Sequence, residues 1–402
     1  MKQSSTLVMN AKLKHSNRRK LLVVPGNCQS LGGTLTSLAS LIAGFTACNA
    51  LDRICVLVQS DSLMEKYLTI AGHQACLIKI PAKNDRDFVD RALHWVNQQP
   101  KDYPLLLDNC VSREILPVLI LASIYLRLSK RPIYHFCHDL ALSHNRLGFL
   151  MRKFTFALLS PRALCNSYFT AQHIYTFMND IRGILYQPVD SQKFCPPTTF
   201  SPPDALKPII QSGAYIILNP SRITQAGIIN DKKLRSLIQI LAVLRSKGHN
   251  YHLVLIGEDD TPNLIRVQEL QAVADQEEIA KWVTILPPTF EIERYYQHAN
   301  LVVALAPREP FGRIVVEAIA SGIPVIGSRT GGIGEILNHF APNWVVDSDD
   351  VAAAAEKVIQ VMSDPNTFHT LACGQKWVRR HCSLTTYAQH MMQLTDIIPI
   401  HT

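Results

Sequence analysis

Two glutamates stand on either side of a break in the chain, in the stretch Glu309-Pro-Phe-Gly-Arg-Ile-Val-Val-Glu317. Pro310 and Gly312 interrupt regular structure there, and we expect a helix over residues 314–320. The first N–H groups of a helix have no partner within it, and they bind phosphate readily. Gly312 has no Cβ, so an anion can approach the backbone closely at this point. The stretch therefore predicts a phosphate site with a carboxylate at each end.

Carboxylates beside a phosphate site are expected where they bind hydroxyl groups. A nucleotide-sugar has hydroxyls at both ends and a diphosphate in the middle, so we interpret Glu309 as the acceptor for sugar hydroxyls and Glu317 as the acceptor for ribose hydroxyls. The alternative is a surface helix with two solvated glutamates. Apolar residues flank Glu317 on both sides, which disfavours that alternative. The other predicted donor-binding residues are Phe311, Gly312, Arg313, Ile314 and Val315.

The sequence around this stretch must place it at the end of a buried strand. Residues 301–305 (Leu-Val-Val-Ala-Leu) are a continuous apolar run, and residues 324–327 (Pro-Val-Ile-Gly) begin the next. Such runs are typical of buried parallel strands. Strands and helices alternate along the chain in the same way, with further strands expected at 21–25, 54–58, 76–80, 105–108, 252–257 and 283–286. This alternation predicts α/β domains with doubly wound parallel sheets.

The stretch also resembles a known family. Glu309 to Glu317, followed by Ala-Ser-Gly-Ile-Pro-Val-Ile-Gly and by Thr330-Gly331-Gly332, is similar to the E-x7-E signature of retaining GT-B glycosyltransferases of the GT4 type, also called glycosyltransferase group 1. The resemblance implies two Rossmann-like domains that face a cleft. It also implies transfer of a sugar, a hexose by preference, from a UDP- or GDP-type nucleotide-sugar to a glycan or lipid-linked acceptor in cell-envelope polysaccharide biosynthesis. No metal and no cofactor are expected.

The domain plan follows from the resemblance and from the length of 402 residues. We expect a basic arm at 1–20, an acceptor-side domain at 21–190 and a proline-rich linker at 191–212. A nucleotide-sugar-binding domain is expected at 213–380. Residues 381–402 are expected to form a helix that crosses back to the N-terminal domain.

The resemblance implies further site residues in the N-terminal half. His138, at the end of the apolar run that starts at 133, matches a family histidine near the transferred sugar. A histidine at a strand end is also often only a structural hydrogen-bonding group, and that alternative stays open. Gly32 and Gly33 match a Gly-Gly turn that approaches the donor, or they simply form a tight turn. Gln187 replaces the usual asparagine of a later family turn.

The chain departs from the family pattern at one cation. The resemblance makes Arg222 a catalytic residue that stabilises the leaving diphosphate, but Ala226 occupies the position where a lysine is expected. Lys232, Lys233 or Arg313 can supply the missing charge, and the sequence alone does not choose between them. This departure keeps two rivals open: a GT-B epimerase or sugar-phosphate synthase, and a nucleotide-sugar-binding scaffold with weakened catalysis.

Charge is unevenly distributed along the chain. Residues 1–205 have 23 Lys and Arg against 13 Asp and Glu, whereas residues 206–402 have 17 against 19. The basic half predicts an anionic membrane surface or an anionic acceptor as partner. Residues 113–131 and 146–160 are both apolar and basic, so they fit either anionic lipid or ordinary domain helices. No nucleic-acid motif accompanies the charge, and nucleic acid is not expected as a partner.

The cysteines and the N-terminus bear on location. None of the ten cysteines forms a CxxC pair, and most lie in apolar runs, as buried reduced thiols of a cytosolic protein do. The N-terminal stretch lacks the apolar core of a secretory signal, and no apolar run is long enough to span a bilayer. We therefore expect a cytoplasmic protein, peripheral on the inner face of the membrane.

Overall fold

The computed structural model describes residues 18–29, 33–142, 146–196, 201–226 and 231–399. The chain divides into two compact units. The first comprises Met1–Pro188 together with Leu384–Thr402, and the second comprises Val189–Ser383.

The first unit is built on a seven-stranded parallel sheet with the order β3-β2-β1-β4-β5-β6-β7. Its central strands are almost wholly buried, as expected for apolar runs covered by helices. The strands are β1 Leu21–Pro25, β2 Ile54–Gln59, β3 Leu77–Ile80, β4 Leu105–Asp108, β5 Ile133–Cys137, β6 Arg162–Cys165 and β7 Ile181–Ile184. The helices are α1 Gly33–Ala47, α2 Leu63–Ile70, α3 Asp85–Asn97, α4 Leu116–Leu128, α5 Arg146–Leu159 and α6 Tyr168–Ile174.

The second unit repeats this plan with a six-stranded parallel sheet in the order β10-β9-β8-β11-β12-β13. Its strands are β8 Tyr215–Pro220, β9 Tyr251–Ile256, β10 Val283–Leu286, β11 Leu301–Ala304, β12 Val325–Ser328 and β13 Val345–Val346. Its helices are α7 Lys207–Gln211, α8 Leu234–Ser246, α9 Ile265–Gln276, α10 Ile292–Tyr296, α11 Arg313–Ala320, α12 Gly331–Asn338, α13 Val351–Ser363 and α14 Thr367–His381.

Both sheets reverse their winding direction at one point, between β1 and β4 in the first unit and between β8 and β11 in the second. In open α/β sheets, ligands bind beyond the carboxyl ends of the strands at this switch point. The loops after β8 and β11 are therefore where a site is expected in the second unit. The two sheets confirm the predicted doubly wound, Rossmann-like fold class.

The C-terminal segment belongs to the first unit. Helix α15 (Leu384–Leu394) packs against α1, where a Cβ on Gly44 would overlap the backbone of Leu384. Beyond the helix, the carboxylate of Asp396 accepts hydrogen bonds from the Tyr134 hydroxyl (2.7 Å) and from Nη2 of Arg182 (2.8 Å). Of the residues expected to form the crossing helix, 381–402, the structure has Leu384–Leu394 as a helix, and the unit boundary lies between α14 and α15.

The residues expected to form a linker, 191–212, belong to the second unit. Residues from Val189 onward fall in the second unit, and within 191–212 the Phe194 ring packs edge-on against Tyr296 at 5.7 Å. The short helix α7 occupies the end of this stretch. The prolines of 191–212 predicted a linker, but the apolar side chains of Phe194, Leu206 and Ile209 in this stretch are buried. Within the described residues, no helix combines the length and apolar character needed to cross a membrane.

Candidate functional site

The loop between β11 and α11 has the shape predicted from its glycine. Gly312 has a φ of 100°, a left-handed conformation that favours glycine, and it directly precedes the helix. A Cβ at this position would lie 3.0 Å from Ile333 of α12. Helix α11 begins at Arg313, one residue before the predicted start, and in its first turn the Val315 N–H donates to the Gly312 carbonyl oxygen at 2.9 Å.

The neighbouring loop holds Glu309 in place. The Gly332 N–H donates to the Glu309 carbonyl oxygen at 2.7 Å, and a Cβ on Gly332 would overlap Phe311. Gly331 has a φ of 76°, and a Cβ there would lie 3.1 Å from the Glu309 backbone nitrogen. The Gly-Gly pair after β12 is therefore required for close contact with the Glu309 loop.

The Glu309 side chain forms an ion pair with a lysine that the sequence could not place. Nζ of Lys232 lies 2.5 Å from Oε2 of Glu309, although the two residues are 77 positions apart. Both side chains are largely buried, with 18% of Lys232 and 21% of Glu309 exposed. A pair with this little exposure is less screened by solvent than a surface ion pair. The arrangement puts an ammonium group beside the carboxylate predicted to bind sugar hydroxyls.

Arg222 lies on the same connection between β8 and α8. Its side chain is exposed, and the structure shows it in no polar contact with another described residue. The Ile223 N–H donates to the Glu258 carbonyl at 2.9 Å, which fixes the start of the loop. The Lys232 N–H donates to Oγ1 of Thr224 at 3.3 Å, which brings the two ends of the loop together. Arg222 and Lys232 are therefore cations of one connection, in which residues 224 and 232 are in contact.

Lys233 and Arg313, the other two residues that could replace the charge missing at position 226, are paired with other side chains. Nζ of Lys233 lies 2.7 Å from Oδ1 of Asp349, and Nε of Arg313 donates to Oε1 of Glu317 at 3.2 Å. Lys232 is thus the candidate that the fold places at Glu309.

Glu317 lies deeper than Glu309. Its Oε2 accepts a hydrogen bond from the Tyr296 hydroxyl at 3.1 Å, while its Oε1 accepts the bond from Arg313. Burial raises the pKa of the Glu317 carboxyl above its ordinary value, and the Arg313 charge opposes this shift. Nη1 of Arg313 is buried without a hydrogen-bond partner among the described residues. Arg313 thus has an unused donor beside the helix start, where a ligand oxygen would satisfy it.

In the first unit, His138 is held by two side chains. Its Nε2 is 2.6 Å from Oδ1 of Asp108 at the end of β4, and its Nδ1 is 2.8 Å from Nε2 of Gln187. Because the Gln187 amide donates and the carboxylate accepts, these partners fit an imidazole that carries its proton on Nε2. The His138 side chain is 6% exposed. This geometry favours the structural alternative, and the catalytic role of His138 stays a prediction.

One residue of the predicted glycine pair of the first unit lies at the start of α1. Gly33 is the first residue of that helix and is exposed, whereas Gly32 lies outside the described residues. Sequence reasoning missed Asp108 as the partner of His138, although its position at the carboxyl end of a buried strand was an available signal.

No cluster of His, Cys, Asp or Glu suited to a metal ion occurs in the part of the chain that the structure describes.

Comparison with solved structures defines the class of fold. The crystal structure of Anabaena HepE in complex with UDP-glucose matches with a TM-score of 0.72 at 18% identity, over 94% of this chain and 100% of that chain. Sucrose-phosphate synthase from Thermosynechococcus elongatus matches with a TM-score of 0.67 at 17% identity, over 94% and 98%. The fold is therefore GT-B, as predicted. Residues 212–373, which lie in the second unit, match the family described as Glycosyl transferases group 1.

Two curated relatives resemble part of the chain. The capsular polysaccharide biosynthesis glycosyltransferase CapM of Staphylococcus aureus is 29% identical over 145 residues, which are 36% of this chain and 37% of the relative. The N-acetyl-alpha-D-glucosaminyl L-malate synthase of Bacillus anthracis is 28% identical over 133 residues, 33% of each. The matched part thus spans about a third of the length of these relatives.

Proposed function

We propose that the protein is a retaining glycosyltransferase that moves a sugar, a hexose by preference, from a nucleotide-sugar to an acceptor. The observation that carries the proposal is the Lys232–Glu309 pair beside the start of α11, inside a Glycosyl transferases group 1 domain. The pair joins a group suited to sugar hydroxyls with a group suited to phosphate, at the switch point of a parallel sheet.

In this proposal the diphosphate lies at the start of α11. Its charge is balanced by Lys232 and Arg222 and by the first N–H groups of the helix. Fixed positive charge matters most when the diphosphate leaves, because negative charge then grows on its oxygens. Glu309 accepts hydroxyls of the sugar, and Glu317 accepts those of the ribose. The donor phosphate draws the acceptor proton, so no protein general base is assigned.

The proposed donor and acceptor are based on the similar proteins described above. HepE was crystallised with UDP and with UDP-glucose, and we therefore propose a UDP-type donor ahead of a GDP-type one. The name of CapM supports a glycan or lipid-linked acceptor of cell-envelope polysaccharide biosynthesis. We propose a cytoplasmic setting on the inner face of the membrane. The nucleotide-sugar is a substrate, and neither a metal nor a cofactor is assigned.

The position of Lys232 also bears on the scaffold alternative. That alternative was motivated by the alanine at position 226, which removes an expected cation. A lysine beside Glu309 gives the site a cation from another position of the same loop. The alanine at position 226 is therefore a weaker argument for the scaffold alternative.

A panel of nucleotide-sugars tests the proposal. The purified protein is incubated with UDP- and GDP-sugars, and nucleotide release is followed without acceptor and with lipid-linked or glycan acceptors. We expect UDP to bind and at least one UDP-sugar to be hydrolysed slowly. Binding without any turnover would favour the scaffold, and absence of binding to all nucleotides would contradict the donor site.

A further inference from the structure

Two neighbouring helices of the first unit expose apolar side chains to solvent. On α4, Leu121, Ile124 and Leu128 follow the three- and four-residue spacing that puts them on one side of a helix. All three are exposed, and Leu128 is exposed by 79%. The opposite side of α4 is buried in the core, with Leu119, Ala122 and Leu126 among its residues. The outward stripe is therefore exposed apolar surface that the packing of the core does not use.

Helix α5 carries a second stripe with the same spacing. Leu147, Leu150, Met151 and Phe154 are exposed, from 37% for Met151 to 65% for Leu147. Both helices link neighbouring parallel strands, α4 from β4 to β5 and α5 from β5 to β6, so they run in the same direction. Nη1 of Arg127 near the end of α4 donates to the Leu158 carbonyl near the end of α5 at 3.2 Å. The two stripes lie side by side, and we call the seven residues together the apolar face.

Positive charge borders the apolar face. Arg127 and Lys130 lie at the end of α4, Arg146 lies at the start of α5, and Lys153 lies next to Phe154; all are exposed. Between residues 115 and 160 the sequence has six Lys and Arg and a single acidic residue, Asp139. The Asp139 carboxylate is occupied within the unit, where it accepts from the Ala141 N–H at 2.7 Å and from Nδ2 of Asn109 at 3.3 Å.

This combination selects one kind of partner. Contiguous exposed apolar surface marks an interaction site, and the basic border requires a partner with negative charge around an apolar interior. An anionic bilayer has both, with acyl chains beneath a layer of negative headgroups. Lys and Arg can lay their stems along apolar surface while their charged ends reach phosphate. Exposed acidic side chains lie at the edges of this surface. Glu114 precedes α4 at the end away from Arg127 and Lys130, Asp90 lies near Tyr125, and Asp180 lines the same pocket as Lys153.

We propose that the apolar face binds an anionic bilayer, with its leucine and phenylalanine side chains between the lipids and the four basic residues among the headgroups. The proposal deepens the membrane setting given under the proposed function, because it names the surface that makes the contact. It does not depend on the sugar-transfer reaction.

Vesicle co-sedimentation of the full chain tests the proposal. Vesicles of phosphatidylcholine alone are compared with vesicles that also contain phosphatidylglycerol, at low and at high salt. We expect stronger binding to the mixed vesicles, weakened but not abolished by salt, because salt screens the charges and leaves the apolar contact. Equal recovery with both kinds of vesicle would overturn the proposal.

Two pairs of substitutions separate the apolar and basic contributions. Leu121→Glu together with Phe154→Glu should lower vesicle affinity at least tenfold at either salt concentration. Lys130→Glu together with Lys153→Glu should lower it by about 25-fold or more at low salt, since each basic residue near an anionic surface contributes about fivefold. The matched control is Ile70→Glu together with Lys66→Glu on α2, where the same types of residue are exposed. This control should bind vesicles like the parent.

Two further readouts keep the outcomes distinct. UDP binding by the same variants should equal that of the parent, because the apolar face and the proposed donor site lie in different units. If the parent itself does not bind UDP, the proposed function is contradicted, but the proposal for the apolar face is not. Gel filtration without lipid reports self-association: a dimer that dissociates on Leu121→Glu with Phe154→Glu would show an interface between copies and overturn the proposal. An equal loss of vesicle binding in the control would overturn it too.

Discussion

The two units share one architecture but differ in the state of their polar groups at the strand ends. In the second unit, Arg222 is exposed and Nη1 of Arg313 has an unused donor among the described residues, so these groups have bonds to offer a ligand. In the first unit, both ring nitrogens of His138 are already bonded to Asp108 and Gln187. The same sheet topology thus carries a site with unused donors in one unit and a histidine with both ring nitrogens bonded in the other.

This difference shows that a polar residue at a strand end is not sufficient to indicate a ligand site. What distinguishes the two places is that cationic donors, Arg222 and Nη1 of Arg313, have no partner among the described residues of the second unit. The comparison leads to a division of roles, in which the second unit binds and stabilises the donor while His138 organises the first unit. The following experiments test that division.

The largest effect is expected at Glu309. Replacing it with alanine removes the acceptor proposed for the sugar hydroxyls and leaves Lys232 without its ion-pair partner. We expect sugar transfer to fall by about 10²–10³, as is typical for loss of one group that stabilises a transition state. UDP binding, measured by calorimetry, should stay within about threefold of the parent, since the nucleotide does not contact Glu309 in this account. Transfer at the parent rate would contradict the role of Glu309.

The next largest effect is expected at Arg222. Because Lys232 shares the diphosphate charge, Arg222→Ala should lower the transfer rate by about 10² and leave measurable residual turnover. The companion variant Ala226→Lys restores the cation expected from the family pattern, and it should leave activity unchanged or raise it. Steady-state kinetics with the best UDP-sugar checks both. Full activity in Arg222→Ala would show that Lys232 and the helix start suffice without it.

A smaller effect, on binding, is expected at Glu317. A hydrogen bond to a charged group is worth about 1.5–3 kcal/mol, so Glu317→Ala should weaken UDP binding tenfold or more. The readout is the dissociation constant of UDP, with Glu335→Ala on α12 as a control in the same unit. Unchanged UDP affinity would mean that Glu317 serves Tyr296 and Arg313 and not the ribose.

The smallest effect on transfer is expected in the first unit. His138→Ala leaves the buried Asp108 carboxylate without its nearest partner, which should lower the free energy of unfolding by about 1–3 kcal/mol. The transfer rate per folded molecule should change less than about threefold if His138 only organises the unit. Urea denaturation and kinetics on the same preparation separate the two. A loss of transfer by 10² or more with unchanged stability would restore His138 as a catalytic residue.

Local sequence signals predicted the elements well. Continuous apolar runs predicted the strands, and the break at Pro310 and Gly312 predicted the start of α11 to within one residue, because these signals act within a few positions. Contacts between distant residues could not be predicted in this way. Lys232 meets Glu309 across 77 positions of the sequence, and Asp108 meets His138 because β4 and β5 pair in the sheet.

The central claim is that Lys232 supplies the cation missing at position 226, and its most direct test is the affinity for UDP of two adjacent lysine variants. Lys232→Ala removes the ammonium group beside Glu309, whereas Lys233→Ala removes one paired with Asp349. Titration calorimetry at low salt should show UDP binding about tenfold or more weaker for Lys232→Ala, in line with a charge-assisted bond to phosphate, and unchanged for Lys233→Ala. Equal UDP affinities for the parent and both variants would contradict the claim.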